Sequence, residues 1–92
     1  MRESYIVSYD ISEPQRLARV ARICEDSGER IQYSVFECLL NDSDLIRLRA
    51  RLEKTIDRSA DQVLFIRLGG AEGRIQSLGR KYEQTERVAI IL

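Results

Sequence analysis

The fold is decided by residues 4–40, which carry the sequence SYIVSYDISEPQRLARVARICEDSGERIQYSVFECLL. The run at 5–9 is β-branched or aromatic almost throughout, which predicts a central strand, and Asp10 follows at its carboxyl end. From Leu17, apolar residues recur at i, i+3, i+4 and i+7, which predicts a helix over residues 13–27 with one buried stripe. Ser12 and Gln15 form a predicted capping box at its start, Pro14 is tolerated in its first turn, and Gly28 predicts a left-handed stop.

Residues 30–40 are strand-like throughout, yet this run is far longer than an ordinary strand of about five or six residues. Nothing local in this run demands a turn, but the order of elements along the chain requires two strands here, so we expect a tight reversal near Tyr33 and Ser34. Downstream, the polar cluster at 41–44 predicts the start of a second helix, with apolar residues at helical spacing from Leu45 to Ile56. Further strands are predicted at 62–68, at 74–81 with a break at Gly79, and at 88–92.

This order of elements predicts a ferredoxin-like α+β sandwich, βαββαβ, with two helices on one face of a mainly antiparallel sheet. A chain of 92 residues is too short for two cores, so residues 1–92 are expected to form one domain. The apolar strand at 88–92 would leave an open edge, which favours pairing with a partner. Because no apolar run reaches the roughly 18 residues of a membrane span and no secretion signal is visible, we expect a cytoplasmic protein without membrane contacts.

The composition limits the chemistry that this chain can perform. There is no histidine, which excludes catalytic triads with His, His-ligated zinc and imidazole acid–base chemistry. Carboxylates, Tyr, Arg, Lys or a hard cation held by oxygen atoms remain. Cys24 and Cys38 lack CxxC spacing and lie among apolar residues, so buried free thiols are expected. Net charge is zero, but all except two of the 15 basic residues are Arg, which suits phosphate contacts or reflects a GC-rich genome.

The ordered features of residues 4–68 resemble the small CRISPR-associated nuclease family. They are an apolar strand that ends in Tyr9 and Asp10, an Arg-rich first helix, Gly28, and an Arg-x-Gln-x-Ser-Val-Phe-Glu segment at 30–37. The resemblance implies a ferredoxin-like fold and a homodimer in which the carboxyl-terminal strand of each subunit joins the partner's sheet. It also implies a role in acquiring new CRISPR spacers, with the CRISPR integrase as partner and nucleic acid as ligand.

The resemblance further implies that Asp10 is the catalytic and metal-binding residue. From the residues alone, an Asp between a strand and a helix is more often a turn residue. In the family, one carboxylate per chain lies near its mate across the dimer axis, so two Asp10 side chains would share one Mg²⁺ or Mn²⁺ ion. Such a cation polarises a phosphodiester oxygen and lowers the pKa of a bound water.

Five further residues are predicted to contact nucleic acid: Tyr9, Arg16, Arg19, Arg30 and Phe36. Arg16 and Arg19 lie in the turns after Asp10, where they flank substrate or belong to a solvated helix face. Members of the family often carry Arg one position after Arg16, where this chain has Leu17. Arg30 and Phe36 match family positions near the active site, although a core role is favoured for Phe36. Tyr9 either orients water or packs at the end of its strand.

Two functions remain open at this point. The first is a metal-dependent endonuclease that acts on RNA or DNA during CRISPR adaptation. The second is a non-catalytic dimeric adaptor that holds duplex DNA between integrase subunits, and the varied activities within the family allow both. A regulatory module that binds a small molecule is disfavoured, because residues 10–14 lack the Gly of an effector loop. An RNA-recognition fold is disfavoured because the chain lacks the Gly/aromatic strand motif.

Overall fold

The computed structural model describes residues 1–69 and 74–81. Its elements are β1 (Glu3–Asp10), α1 (Pro14–Glu25), β2 (Gly28–Gln32), β3 (Val35–Leu40), α2 (Asp42–Thr55), β4 (Gln62–Arg67) and β5 (Arg74–Gly79). The strands form one antiparallel sheet in the order β2-β3-β1-β4-β5. The first four strands and both helices confirm the predicted ferredoxin-like α+β fold, and β5 extends the sheet beyond β4. The predicted strand at 88–92, with its exchange between subunits, lies outside the described residues.

The alternation of side chains along β1 decides which face of the sheet the helices cover. Tyr5, Val7 and Tyr9 are buried, because successive side chains in a strand point to opposite faces and these three point toward the helices. They belong to one core with residues from both helices and the neighbouring strands, including Val20, Cys24, Phe36, Cys38, Leu48, Leu52, Val63 and Phe65. The other face of the sheet, which begins with Ser4 and Ile6, is not covered by either helix.

The predicted reversal within residues 30–40 is confirmed. β2 ends at Gln32 and β3 begins at Val35, so Tyr33 and Ser34 form the turn. The backbone N–H of Tyr9 donates to the carbonyl oxygen of Ser34 at 3.1 Å, which ties this turn to the carboxyl end of β1. The β2–β3 turn therefore lies beside the strand end that carries Asp10.

The cap of α1 differs from the prediction, whereas that of α2 agrees with it. Glu13 rather than Ser12 caps α1, because its carboxylate accepts hydrogen bonds from the first backbone N–H groups of the helix, which lower its pKa. In α2, Asn41 and Asp44 form a reciprocal capping box. Neither helix in residues 1–69 and 74–81 is long and apolar enough to cross a membrane.

Gly28 does not end α1 in the left-handed conformation that we predicted. Asp26 closes the helix with an ordinary right-handed geometry, and Gly28 is the first residue of β2. A Cβ at Gly28 would lie 2.2 Å from the carbonyl oxygen of Glu37 on β3, so the close approach of the two backbones requires glycine. Within the described residues, the positive φ belongs to Gly79, at 84°.

The two cysteines are buried free thiols, as predicted. Burial raises the pKa of Cys24 to about 12 and that of Cys38 to about 11. Both thiols are therefore protonated at neutral pH and act as small apolar core residues.

Candidate nucleic-acid and cation site

Asp10 is an exposed carboxylate at the carboxyl end of the central strand β1. The antiparallel register pairs it with Gln62 on β4, and Gln62 pairs with Gly79 on β5, so three strands finish or begin at this edge. The Asp10 side chain is 77% exposed, and Nη2 of Arg80 donates to its Oδ2 at 2.8 Å. The edge thus combines one accessible acid with one arginine from a position 70 residues further along the chain.

Arg80 is placed at this edge by the backbone that follows β5. Gly79 turns the chain with its positive φ, and a Cβ there would lie 2.1 Å from the carbonyl oxygen of Asp61. The Arg80 N–H donates to that same oxygen at 2.8 Å, and Nε2 of Gln62 donates to the Arg80 carbonyl oxygen at 3.1 Å. Arg80 is therefore held through its backbone, independently of its guanidinium contact.

Asp61 is the buried acid that organises the loop after Asp10. Its fully buried carboxylate accepts five hydrogen bonds, from Ser12 N and Oγ, from Arg16 Nε and Nη2, and from Asp57 N. Burial alone would raise the pKa of Asp61, but these hydrogen bonds outweigh it and hold the pKa well below its usual range. The ionised Asp61 fixes Ser12, and thereby the loop that leaves Asp10.

Arg16 has a structural contact in place of its predicted contact with nucleic acid. Its Nε lies 2.8 Å from Oδ2 of Asp61, and its Nη2 donates to Ser12 Oγ at 3.1 Å. The side chain is 23% exposed, and the hydrogen bond to Asp61 raises its pKa. The guanidinium is already engaged, so the prediction that Arg16 binds nucleic acid is not supported.

The two aromatic candidates, Tyr9 and Phe36, lie in the core. Phe36 is fully buried and stacks against Tyr9 with ring centroids 6.2 Å apart, so it presents no free face to a base. This burial agrees with the core role favoured for Phe36, and its contact with nucleic acid stays a prediction. Tyr9 is also buried, which raises its pKa, and its hydroxyl donates to the carbonyl oxygen of Tyr33 at 3.5 Å.

Arg30 and Arg19 are the predicted contacts that remain exposed. The guanidinium of Arg30 lies 5.2 Å above the centroid of Phe36 and covers its ring on the solvent side. Arg30 also lines a groove of about 310 Å³ with Tyr9, Leu17 and Tyr33. Arg19 forms no ion pair within residues 1–69 and 74–81.

Three residues near this edge were not predicted as site residues: Asp61, Arg80 and Tyr33, of which Tyr33 was predicted only as part of a turn. Tyr33 is 73% exposed in the β2–β3 turn, beside the groove. Two of them carried local signals that could have identified them. Asp61 immediately precedes the apolar run of β4, and Arg80 follows a glycine at the end of β5. What brings them to Asp10 is the pairing of strands that are distant in sequence.

The fold and this edge define a ferredoxin-like α+β protein with an exposed carboxylate at the end of its first strand, paired with one arginine. Comparison with known families gives the same class. The profile described as CRISPR associated protein Cas2 matches residues 3–74, most of the chain. The chain therefore belongs to the CRISPR associated protein Cas2 family, and the resemblance noted in the sequence is confirmed.

Individual relatives support the same assignment over nearly the whole chain. The CRISPR-associated endoribonuclease Cas2 1 of Rhodospirillum rubrum is 39% identical and covers 97% of this chain and 90% of its own length. The CRISPR-associated endoribonuclease Cas2 of Geobacter sulfurreducens is 33% identical over the full length of both chains.

Solved structures agree with the fold. A hypothetical protein from Thermus thermophilus superposes with a TM-score of 0.74 at 32% identity, covering 80% of this chain and 96% of its own. Streptococcus pyogenes Cas2, crystallised at pH 6.5, superposes with a TM-score of 0.68 at 35% identity, covering 72% of this chain and 86% of its own.

Proposed function

We propose that this chain is a metal-dependent endonuclease that hydrolyses phosphodiester bonds of RNA or DNA in CRISPR adaptation, with the CRISPR integrase as partner. The observation that carries the proposal is the exposed Asp10 carboxylate at the end of β1. Relatives that cover most of this chain are named CRISPR-associated endoribonuclease Cas2, which supports a nuclease role. Without histidine, the accessible carboxylate is the natural group for hydrolysis assisted by a hard cation.

A homodimer is part of this proposal, and the sheet face without helices is the surface that supports it. Ile6 pairs with Ile66, and Ile66 pairs with Ile75, which places three isoleucines in a row across β1, β4 and β5. Leu39, at an alternate position of β3 on the same face, is 61% exposed. Apolar side chains on a sheet face that no helix covers are typical of an interface between proteins. A second copy of the same face is the occupant that we propose.

The same alternation places Asp10 on this open face, because it is two and four residues beyond Ser8 and Ile6 along β1. A second chain packed on this face would bring its own Asp10 toward the first. Within residues 1–69 and 74–81 of one chain, no group of three or more His, Cys, Asp or Glu side chains is arranged to hold a metal. Carboxylate oxygens are the ligands that Mg²⁺ and Mn²⁺ prefer, so two Asp10 side chains fit a shared site.

Each residue of the edge has a distinct task in this proposal. A divalent cation, when bound, supplies Lewis-acid polarisation of the scissile phosphodiester. Asp10 holds it, and the Asp61–Ser12 hydrogen bonds keep the adjoining loop in place. Arg30 and Arg19 neutralise phosphates, and the exposed Tyr33 ring offers a face on which an unpaired base can stack.

The decisive test is cleavage of labelled RNA and DNA by Asp10→Asn. The substitution keeps the size of the side chain and removes its charge. Cleavage that depends on Mg²⁺ or Mn²⁺ should therefore fall to background, while the secondary structure and the thermal stability of the protein stay unchanged. Asp26→Asn is a matched control, because Asp26 is also an exposed acid paired with an arginine, 3.0 Å from Arg51. Cleavage that persists in Asp10→Asn, once contaminating nuclease is excluded, would place the active site elsewhere.

The open face is tested separately by sedimentation. Ile66→Lys adds a charge at the centre of the isoleucine row and should shift the protein from dimer to monomer. Ile46→Lys is the matched control, because Ile46 is an exposed isoleucine on α2, on the other side of the sheet. A monomeric wild type at micromolar concentration, or a dimer unaffected by Ile66→Lys, would contradict this interface.

The second candidate is a non-catalytic dimeric adaptor that bridges integrase subunits on DNA. The ion pair between Asp10 and Arg80 favours it, because the charge of the Asp10 carboxylate is already balanced by an arginine without a cation. The adaptor predicts no cleavage in the wild type under any divalent metal, with integrase binding intact in both wild type and Asp10→Asn. The endonuclease predicts cleavage that only the wild type performs.

A further inference from the structure

Arg80 lies at the same edge of the sheet as Asp10 and contacts the Asp10 carboxylate. Its Nη2 lies 2.8 Å from Oδ2 of Asp10, within the range of a charge-assisted hydrogen bond. Arg47 and Arg58 of the α2 region, by comparison, contact acids only three and five positions away in the chain. The Arg80 contact instead joins the ends of β1 and β5, which are brought together by the sheet.

The backbone of Arg80 is fixed before its side chain makes any contact. Gly79 supplies the positive φ, the Arg80 N–H bonds to the Asp61 carbonyl oxygen, and the Gln62 side chain bonds to the carbonyl oxygens of Arg80 and Lys81. Exposed ion pairs usually lose side-chain entropy when they form, which weakens them. The fixed backbone keeps the base of the Arg80 side chain beside Asp10, so this side-chain entropy is the main cost that opposes the pair.

We propose that Arg80 is an intramolecular counter-ion of Asp10 that competes with the divalent cation for the Asp10 carboxylate. This inference rests on the proposed function of Asp10. The oxygen that accepts from Arg80 is one of only two that Asp10 offers, so a cation that binds both oxygens must displace the guanidinium, and one that binds the other oxygen lies close to it. The positive charge of Arg80 also repels an incoming cation. Both effects act in the same direction and weaken cation binding.

The test is Mn²⁺ binding to the full-length protein, measured by electron paramagnetic resonance of the free ion, without nucleic acid. Arg80→Gln removes the charge and leaves the backbone hydrogen bonds of residue 80 intact. Because an exposed pair of this kind changes an equilibrium constant by about two- to five-fold, Arg80→Gln should bind Mn²⁺ about two- to five-fold more tightly. Arg80→Lys retains the charge and should return the affinity toward that of the wild type.

Arg58→Gln is the matched control, because Arg58 is also an exposed arginine with an acidic partner, Glu53 at 3.5 Å. It should leave Mn²⁺ affinity unchanged. The urea midpoints of both variants should stay close to that of the wild type, since a purely structural role for Arg80 would shift the midpoint and not the affinity. Increased salt should reduce the difference in Mn²⁺ affinity between the wild type and Arg80→Gln, because salt screens the exposed Asp10–Arg80 ion pair.

The outcomes separate the role of Arg80 from that of Asp10. If Asp10→Asn abolishes Mn²⁺ binding and Arg80→Gln leaves it unchanged or weakens it, Arg80 is not a competitor and the cation site stands. If Asp10→Asn binds Mn²⁺ as well as the wild type, the cation site at Asp10 is refuted, and the inference about Arg80 with it. If neither the wild type nor Arg80→Gln binds Mn²⁺, the competition proposed here is also refuted.

Discussion

Replacing Asp61 with Asn should destabilise the protein more than removing any exposed carboxylate. The Asp61 carboxylate accepts five hydrogen bonds, all from N–H or O–H donors, in a site with no solvent exposure. An amide cannot reproduce this arrangement, because one of its two polar atoms is a donor and would face another donor. The substitution also leaves the guanidinium of Arg16 without its counter-charge.

The magnitude follows from the burial of the pair. Removing one partner of a buried ion pair costs about 3–5 kcal/mol. Arg16 is 23% exposed, so water recovers part of the loss and the lower end, about 3 kcal/mol, is the expected value. Since a small domain has about 5–15 kcal/mol of total stability, this is a large fraction. Asp26→Asn breaks an exposed pair and should cost at most about 1 kcal/mol.

Urea unfolding at fixed protein concentration measures both variants. With a slope of about 1–3 kcal/mol per molar urea, Asp61→Asn should lower the midpoint by about 1 M or more. The pKa of Asp61 is lowered on folding, so its contribution is fully present above the unfolded value of about 3.9 and is lost as pH falls below it. The difference in free energy of unfolding between the wild type and Asp61→Asn should therefore become smaller below pH ~4. If Asp61→Asn lowers the free energy of unfolding by less than about 1 kcal/mol at pH 7, the pair between Asp61 and Arg16 does not behave as a buried ion pair.

Three further predictions follow from neighbouring features. Gly79→Ala should cost more than about 1 kcal/mol in urea unfolding, because its φ is 84° and a Cβ would meet the Asp61 carbonyl oxygen; a neutral result would contradict the observed backbone. Arg19→Gln and Arg30→Gln should each reduce the slope of log affinity against log salt for nucleic acid by about one, and an unchanged slope would remove that arginine from the interface. Cys24→Ser should cost about 1–3 kcal/mol, because it buries a hydroxyl in an apolar core, and equal stability would mean that the hydroxyl finds a partner.

The sequence was sufficient for the elements whose signals are local. Apolar spacing identified both helices, whereas the turn at Tyr33 and Ser34 was predicted from the βαββαβ order, which requires two strands within residues 30–40. The capping error at Ser12 has a definite physical reason. Ser is the residue type preferred at a helix N-cap, but Ser12 donates its N–H and hydroxyl to Asp61, 49 residues away, and Glu13 caps the helix in its place.

The candidate site was less predictable, because its electrostatics depend on pairing between distant strands. Arg16 and Arg19 are equivalent in sequence, since both follow Asp10 on an Arg-rich helix. Asp61 lies in the loop before β4, and only its position shows that Arg16 forms an ion pair with it while Arg19 is exposed. Phe36 illustrates the same limit in the core, since its alternation along β3 is clear only when the register with β1 is known.

Two acids meet two arginines at this edge, and their environments give them opposite roles. Asp61 and Arg16 are enclosed, and every lone pair of Asp61 that a cation would need is committed to a hydrogen bond. Asp10 has one arginine partner and is 77% exposed, so its second oxygen remains accessible to a ligand. The two sites are joined through the backbone, because the Asp61 carbonyl oxygen holds the N–H of Arg80. Asp61 therefore stabilises the backbone that positions Asp10 and Arg80. Substituting Asp61 should alter cation binding at Asp10, although the two carboxylates are not in direct contact.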